Sequence, residues 1–181
     1  MSRIPAIDPA TAKGKAHDLF SAVKGKLGLI PNMTRVMANS PAVLEGYLSL
    51  NGALNDGSLQ PKIREELALV VAQENQCDYC LSAHTAIGKM VGLTPEEIAQ
   101  SREGQSADKH VLAALTFAKQ VLETRGAVSD EDLSAVRAAG FSDGEIAEII
   151  AHVALNVLTN YFNKAAVVDI DFPVVSFRKA S

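Results

Sequence analysis

Tryptophan is absent from this chain, and cysteine occurs only twice in 181 residues. Two cysteines cannot staple a small secreted scaffold, so a disulfide framework is excluded. Aromatic residues make up 5% of the chain. That weakens an all-β reading, since aromatics and β-branched residues are what strands collect. No surplus of positive charge exists either: 17 Lys and Arg against 21 Asp and Glu leave a net charge of 17 − 21 = −4. A mildly acidic surface is ill suited to tracking a phosphate backbone, so nucleic acid is not an expected partner. Long hydrophobic runs are also missing. The longest, such as Leu67 to Ala72, fall far short of the roughly 20 residues a membrane-spanning helix requires. The N-terminus, Met-Ser-Arg-Ile-Pro-Ala-Ile-Asp, has no apolar run behind its charge. No secretory signal or membrane is therefore expected, and the cytoplasm is the default location.

What is present is helical period. Pro61 to Gln76 places Ile63, Leu67, Val70 and Val71 on one face, with Pro61 suited to a first helical turn. Ser40 to Leu54 opens with a Ser-Pro cap. Capping boxes begin three later helices: Thr94 with Glu97, Ser129 with Asp132 and Ser142 with Glu145. Further helices are predicted over about 107–124 and 143–164. Gly92-Leu-Thr-Pro-Glu-Glu-Ile-Ala echoes Gly140-Phe-Ser-Asp-Gly-Glu-Ile-Ala, each reading as a glycine turn, an apolar residue and a new helix start. Only Val167 to Phe177 alternates as an extended segment would, and Pro173 interrupts it. The expected fold is all-α and a single domain, with a core over about 27–164. An N-terminal arm, partly helical, covers 1–26, and an extended C-terminal tail covers 165–181.

The chemistry concentrates around Cys77-Asp78-Tyr79-Cys80 and His84. On a helix, at roughly 100° per residue, Cys77, Cys80 and His84 fall within about 60° of one another. His84 is one turn from Cys80 but about 10.5 Å of axial rise from Cys77, so Cys80 is its natural partner. Asn75 and Asp78 have N-cap and N3 spacing, which would set both cysteines in the first turns, where the helix dipole lowers a thiol pKa. A Cys-x-x-Cys pair spans one turn and can close a disulfide without large backbone movement. Two thiols, an imidazole and a carboxylate behind it supply what a dithiol peroxidase needs: a nucleophile, a resolving thiol and a proton relay.

Glu65, then Cys77 twelve residues on, then Cys80 and His84 resemble the Glu-x11-Cys-x-x-Cys-x3-His signature of AhpD-like alkylhydroperoxidases in the carboxymuconolactone decarboxylase superfamily. The segment Gly28 to Pro41 is similar to the opening of that family's core, and Glu145 to Asn163 to its closing helix. The resemblance covers roughly Leu27 to Lys164. It implies an all-α fold, Cys80 as peroxidatic cysteine, Cys77 as resolving cysteine, His84 as general base and Glu65 completing the relay. It further implies a peroxide substrate, no cofactor, a dithiol reductant such as a lipoylated partner protein, and assembly as trimers or hexamers. One position departs: Tyr79 stands where the family's type member has a His. A phenol with a pKa near 10 can donate a hydrogen bond but cannot shuttle protons near neutrality.

Other readings of the same residues stand beside this one. The cysteines could be a buried apolar pair, or with His84 supply three zinc ligands. A lactone decarboxylase of the sister branch generally lacks the two cysteines, and a non-catalytic thiol–disulfide switch would keep them. Without the family spacing, Glu65 is not distinguishable from Glu66 or Glu74, and a charge cluster at a helix start is expected to be a solvated face. His152 and Asn156 form a polar pair on an otherwise apolar helix and are expected to be hydrogen-bonded in a core or interface, with a site-lining role for His152 as the alternative. His17 and His110 are expected at the surface, and the four methionines as core filler.

Overall fold

A computed structural model describes residues 2–178; Met1 and the last three residues of the expected tail lie outside that range. Among the described residues there are nine helices and no strand. In order they are α1 (Gly14–Leu27), α2 (Asn32–Met37), α3 (Pro41–Asn55), α4 (Pro61–Glu74) and α5 (Asp78–Met90). There follow α6 (Pro95–Arg102), α7 (Lys109–Glu123), α8 (Asp130–Ala138) and α9 (Asp143–Ala166). The fold is the all-helical one expected.

Most of the local signals act as their chemistry requires. All three capping boxes form, with the Thr94, Ser129 and Ser142 side chains each accepting the N3 backbone N–H. Ser40 sits at the N-cap of α3, but its side chain makes no capping bond. The echoed turns use left-handed glycines, Gly92 with φ 91° and Gly140 with φ 100°. Each is followed by an apolar residue, Leu93 or Phe141, that is buried against the core.

α4 is the central wall. It packs against α5, α6, α7 and α9, and every residue from Leu67 to Ala72 is buried. Leu69 and Ala72 join one apolar cluster with α2, α3, α5 and the C-terminal segment. Leu67, Val70 and Val71 join a second with α7, α8 and α9. Burying each such Leu or Val contributes about 1.5–3 kcal/mol. The C-terminal segment alternates as expected, with Val168, Ile170 and Phe172 packed inward, yet it pairs with no strand. It is held by side chains instead. Phe177 N–H donates to Asp78 (2.7 Å) and Val175 N–H to Ser82 Oγ (2.8 Å), while Arg102 Nη2 donates to the Ser176 carbonyl (2.8 Å).

Three expectations change in the fold. Glu66 is buried at 4% exposure rather than solvated, because α6 covers the start of α4. His110 is only partly exposed: its Nδ1 lies 2.9 Å from the Ala139 carbonyl and its ring stacks on Phe141 at 3.9 Å. Met90 is exposed rather than core filler, since it occupies the last position of α5, where no element covers it.

Candidate functional site

The cysteine helix starts two residues later than the spacing of Asn75 and Asp78 predicts. Asn75 is the C-cap of α4, Gln76 takes a left-handed φ of 54°, and Cys77 is the N-cap of α5. A cysteine does the capping: Cys77 Sγ accepts the backbone N–H of Cys80 at 3.3 Å. Its sulfur thus occupies the place usually taken by a Ser or Asp oxygen, at the positive end of the helix. Cys77 and Cys80 are joined as a disulfide with Cα atoms 5.3 Å apart, and both are buried, at 1% and 2% exposure. Among the described residues no group of three or more His, Cys, Asp or Glu is arranged to hold a metal ion.

Two neighbouring elements fix the surroundings of the sulfurs. From α9, Asn163 Nδ2 donates to Cys80 Sγ at 3.4 Å and also lies 3.2 Å from Met33 Sδ of α2. One turn earlier, Asn160 Oδ1 accepts from Asn75 Nδ2 at 3.0 Å. Tyr79, between the cysteines, points away into the fold. Its hydroxyl accepts the Met33 N–H at 3.2 Å and its ring meets Phe172 edge-on at 5.9 Å. Burial is the main cause pushing this phenol far above its ordinary range, so it stays protonated.

One turn beyond Cys80 on α5, His84 meets Glu65. Glu65 Oε2 on α4 lies 2.8 Å from His84 Nδ1. Of the three carboxylates at the ends of α4, only Glu65 reaches the imidazole: Glu66 faces α6 and α7, and Glu74 pairs with Lys119 at 2.8 Å. The Glu65–His84 pair lines a cavity of about 50 Å³ together with Tyr47, Arg64, His152 and Asn156. Burial, and then the Glu65 charge, push the Tyr47 hydroxyl up to about 12. Burial first, then the Arg64 charge, hold His152 below the ordinary histidine range. Asn156 Nδ2 donates to the His152 carbonyl at 2.8 Å, as its polar spacing suggests. The expectation of a bonded His152 ring is only half met, because its buried Nε2 has no partner. The cysteines do not line this cavity. Thr159, which does, is one helical turn from Asn163 on α9.

A larger cavity of about 380 Å³ lies between α4, α6 and α7, lined by Glu66, Glu97, Asp108 and Lys62 among others. Burial, then the Glu97 charge, raise the Glu66 carboxyl to about 7. No sulfur faces it.

Sequence reasoning therefore names Cys77, Cys80, His84 and Glu65, and the structure brings Glu65 to His84 and Cys77 to Cys80. Asn163, Tyr47 and Met33 were not singled out as site residues. The available signal was the run of polar residues, Asn156, Thr159, Asn160 and Asn163, at helical spacing along the buried face of α9.

Comparison with known proteins agrees with this architecture. Residues 41–123 match the carboxymuconolactone decarboxylase family. A peroxidase-related protein with an alkylhydroperoxidase AhpD core from Ralstonia eutropha superposes with a TM-score of 0.84 at 26% identity, covering 94% of this chain and 92% of that one. A peroxidase-related protein from a Silicibacter species gives a TM-score of 0.79 at 23% identity, covering 97% and 94%. Sestrin-1 of Xenopus laevis is 30% identical over 77 residues, which is 41% of this chain. The match spans only 16% of the sestrin's length.

Proposed function

We propose that this chain, which matches the carboxymuconolactone decarboxylase family over residues 41–123 and has the AhpD-like fold, is a thiol-dependent peroxidase acting through Cys80, Cys77, His84 and Glu65. The observation that carries this reading is local. One helix holds a disulfide-forming cysteine pair and, one turn on, an imidazole whose Nδ1 is fixed by a carboxylate at 2.8 Å.

In the reduced protein the Cys80 thiol gives up its proton to His84, whose ring Glu65 orients and whose positive charge it stabilises. The thiolate attacks one oxygen of a hydroperoxide. The S–O bond forms as the O–O bond breaks, and the departing oxygen takes the proton held by His84, leaving as an alcohol or water. Cys80 is now a sulfenic acid. The Cys77 thiol attacks it: the S–S bond forms as the S–O bond breaks, and the oxygen leaves as water with the thiol's proton. That step yields the same Cys77–Cys80 pairing that the structure holds. Two electrons have passed from the two thiols to the peroxide, and an external dithiol, such as a lipoylated protein, returns them. When that dithiol attacks Cys80, Cys77 is the leaving thiolate, and its position accepting an N–H at the start of α5 suits it to leave.

The 50 Å³ cavity beside His84 holds only a few water-sized occupants, at about 10–15 Å³ each, and the cysteines lie outside its lining. The same size counts against a dicarboxylic lactone, and so against decarboxylation. Homo-oligomers and a cytoplasmic setting belong to this proposal. Within the described residues, no helix is long and apolar enough to cross a membrane.

The test is peroxide consumption by purified protein with excess dithiol, beside Cys80→Ser and Cys77→Ser. Turnover by wild type, none by Cys80→Ser, and a single event followed by over-oxidation in Cys77→Ser are expected. Free, reducible thiols with no peroxide consumption above background would sink the reading and leave a redox switch.

A further inference from the structure

We infer that Asn163 is a further catalytic residue, whose side-chain N–H holds the Cys80 sulfur in its thiolate form. The inference rests on the peroxidase reading only in taking Cys80 as the reactive thiol.

Each sulfur of the pair has one N–H donor, and the two donors differ in origin. Cys77 draws on the backbone of its own helix, through Cys80 N–H at 3.3 Å. Cys80 draws on α9, through Asn163 Nδ2 at 3.4 Å. That distance is ordinary for a sulfur acceptor, and Asn163 is 4% exposed, so water does not compete for the bond. The orientation of the amide follows from its neighbours. Met33 Sδ, 3.2 Å from the same nitrogen, can only accept. The oxygen turned toward two sulfurs would meet lone pairs on both, so the NH₂ end faces them.

A neutral thiol gains little from such a donor, whereas a buried thiolate gains a charge-assisted bond in a low-dielectric setting. Asn163 moves no proton. It shifts the balance toward the nucleophile while His84 receives the proton. Its Oδ1 is buried without a partner. An unpaired buried acceptor is costly, and this one belongs to the same amide whose N–H meets the sulfur. The backbone holds the residue in place: the Asn163 carbonyl accepts Val168 N–H at 3.1 Å, closing α9.

The test is a thiolate titration by ultraviolet absorbance on the reduced Cys77→Ser protein, with and without Asn163→Leu. The expected result is a rise of about one unit in the Cys80 pKa, a tenfold smaller thiolate fraction below it. The Cys77 thiol, titrated in Cys80→Ser, should not move when Asn163→Leu is added. Should the leucine variant fail to fold, Asn163→Ala removes the donor without adding a charge, and the same upward shift is expected. A Cys80 pKa unchanged in the folded variant overturns the assignment, even if wild type consumes peroxide. A shifted pKa in a protein that consumes no peroxide leaves Asn163 as the thiolate donor and removes the peroxidase reading alone.

Discussion

Glu65 Oε2 lies 2.8 Å from Nδ1 of His84, across the packed faces of α4 and α5 and 19 positions apart in the chain. The contact fixes the imidazole tautomer, leaving Nε2 as the ring's other proton-handling atom. Glu65→Gln keeps the shape but removes the charge that stabilises a protonated His84. Peroxide consumption is expected to fall by about 10²-fold, the scale of general acid–base assistance, with an unchanged circular dichroism spectrum. Activity within twofold of wild type would remove Glu65 from the relay.

Glu66 offers a pH signature in stability rather than activity. Its carboxyl is raised from 4.5 to about 7, chiefly by burial. Between those values the folded chain holds a proton that the unfolded chain has released. The stability this group contributes is therefore full below about pH 4.5 and falls as the pH rises to about 7. Glu66→Gln should flatten this slope and melt higher than wild type at pH 8, by several degrees on a scale of about 2–4 °C per kcal/mol. Melting curves at pH 5 and pH 8 decide it, and parallel slopes in both proteins would count against a protonated Glu66.

His152 acts in the opposite direction. Burial, then Arg64, lower its pKa, so below the ordinary histidine value of 6.5 the unfolded chain binds the proton more readily. Stability is expected to drop as pH falls through that value, and His152→Gln should soften the drop. Its melting temperature at pH 5, compared with that at pH 7, provides the check.

The caps separate appearance from function. Ser142→Ala removes a capping box that starts α9 and is expected to cost about 1 kcal/mol. Ser40→Ala, at a cap whose side chain makes no bond, should cost only a small part of that. Equal losses in denaturant unfolding would contradict the geometry.

The C-terminal segment clasps the cysteine helix through Asp78, Tyr79 and Ser82. Deleting residues after Asp171 should lower the melting temperature and speed reduction of the Cys77–Cys80 disulfide by a dithiol. Reduction at the wild-type rate would show that the clasp does not guard the sulfurs.

Helix starts, glycine turns and the all-α class were legible because each depends on a few adjacent residues: a hydroxyl three positions from an acid, or a glycine free to take positive φ. The Cys-x-x-Cys and its His were legible for the same reason, since helical spacing alone places them. The cap at Asn75 was misread because Gln76 adopts a left-handed φ. That breaks the helical register between α4 and α5 and hands the cap to Cys77.

By itself, the sequence determined most of the helices, the one-turn spacing of the cysteines and His84, and, through family likeness, which glutamate to name. Tertiary structure alone decided that Glu65 meets the imidazole while its neighbour Glu66 is buried on another side of α4. It alone set Asn163 against Cys80 and pinned Tyr79 under the tail. Neighbouring residues on a helix point about 100° apart, so what each side chain meets depends on which other helix packs there. Packing of that kind is settled by apolar burial summed over the whole chain rather than by any local pattern.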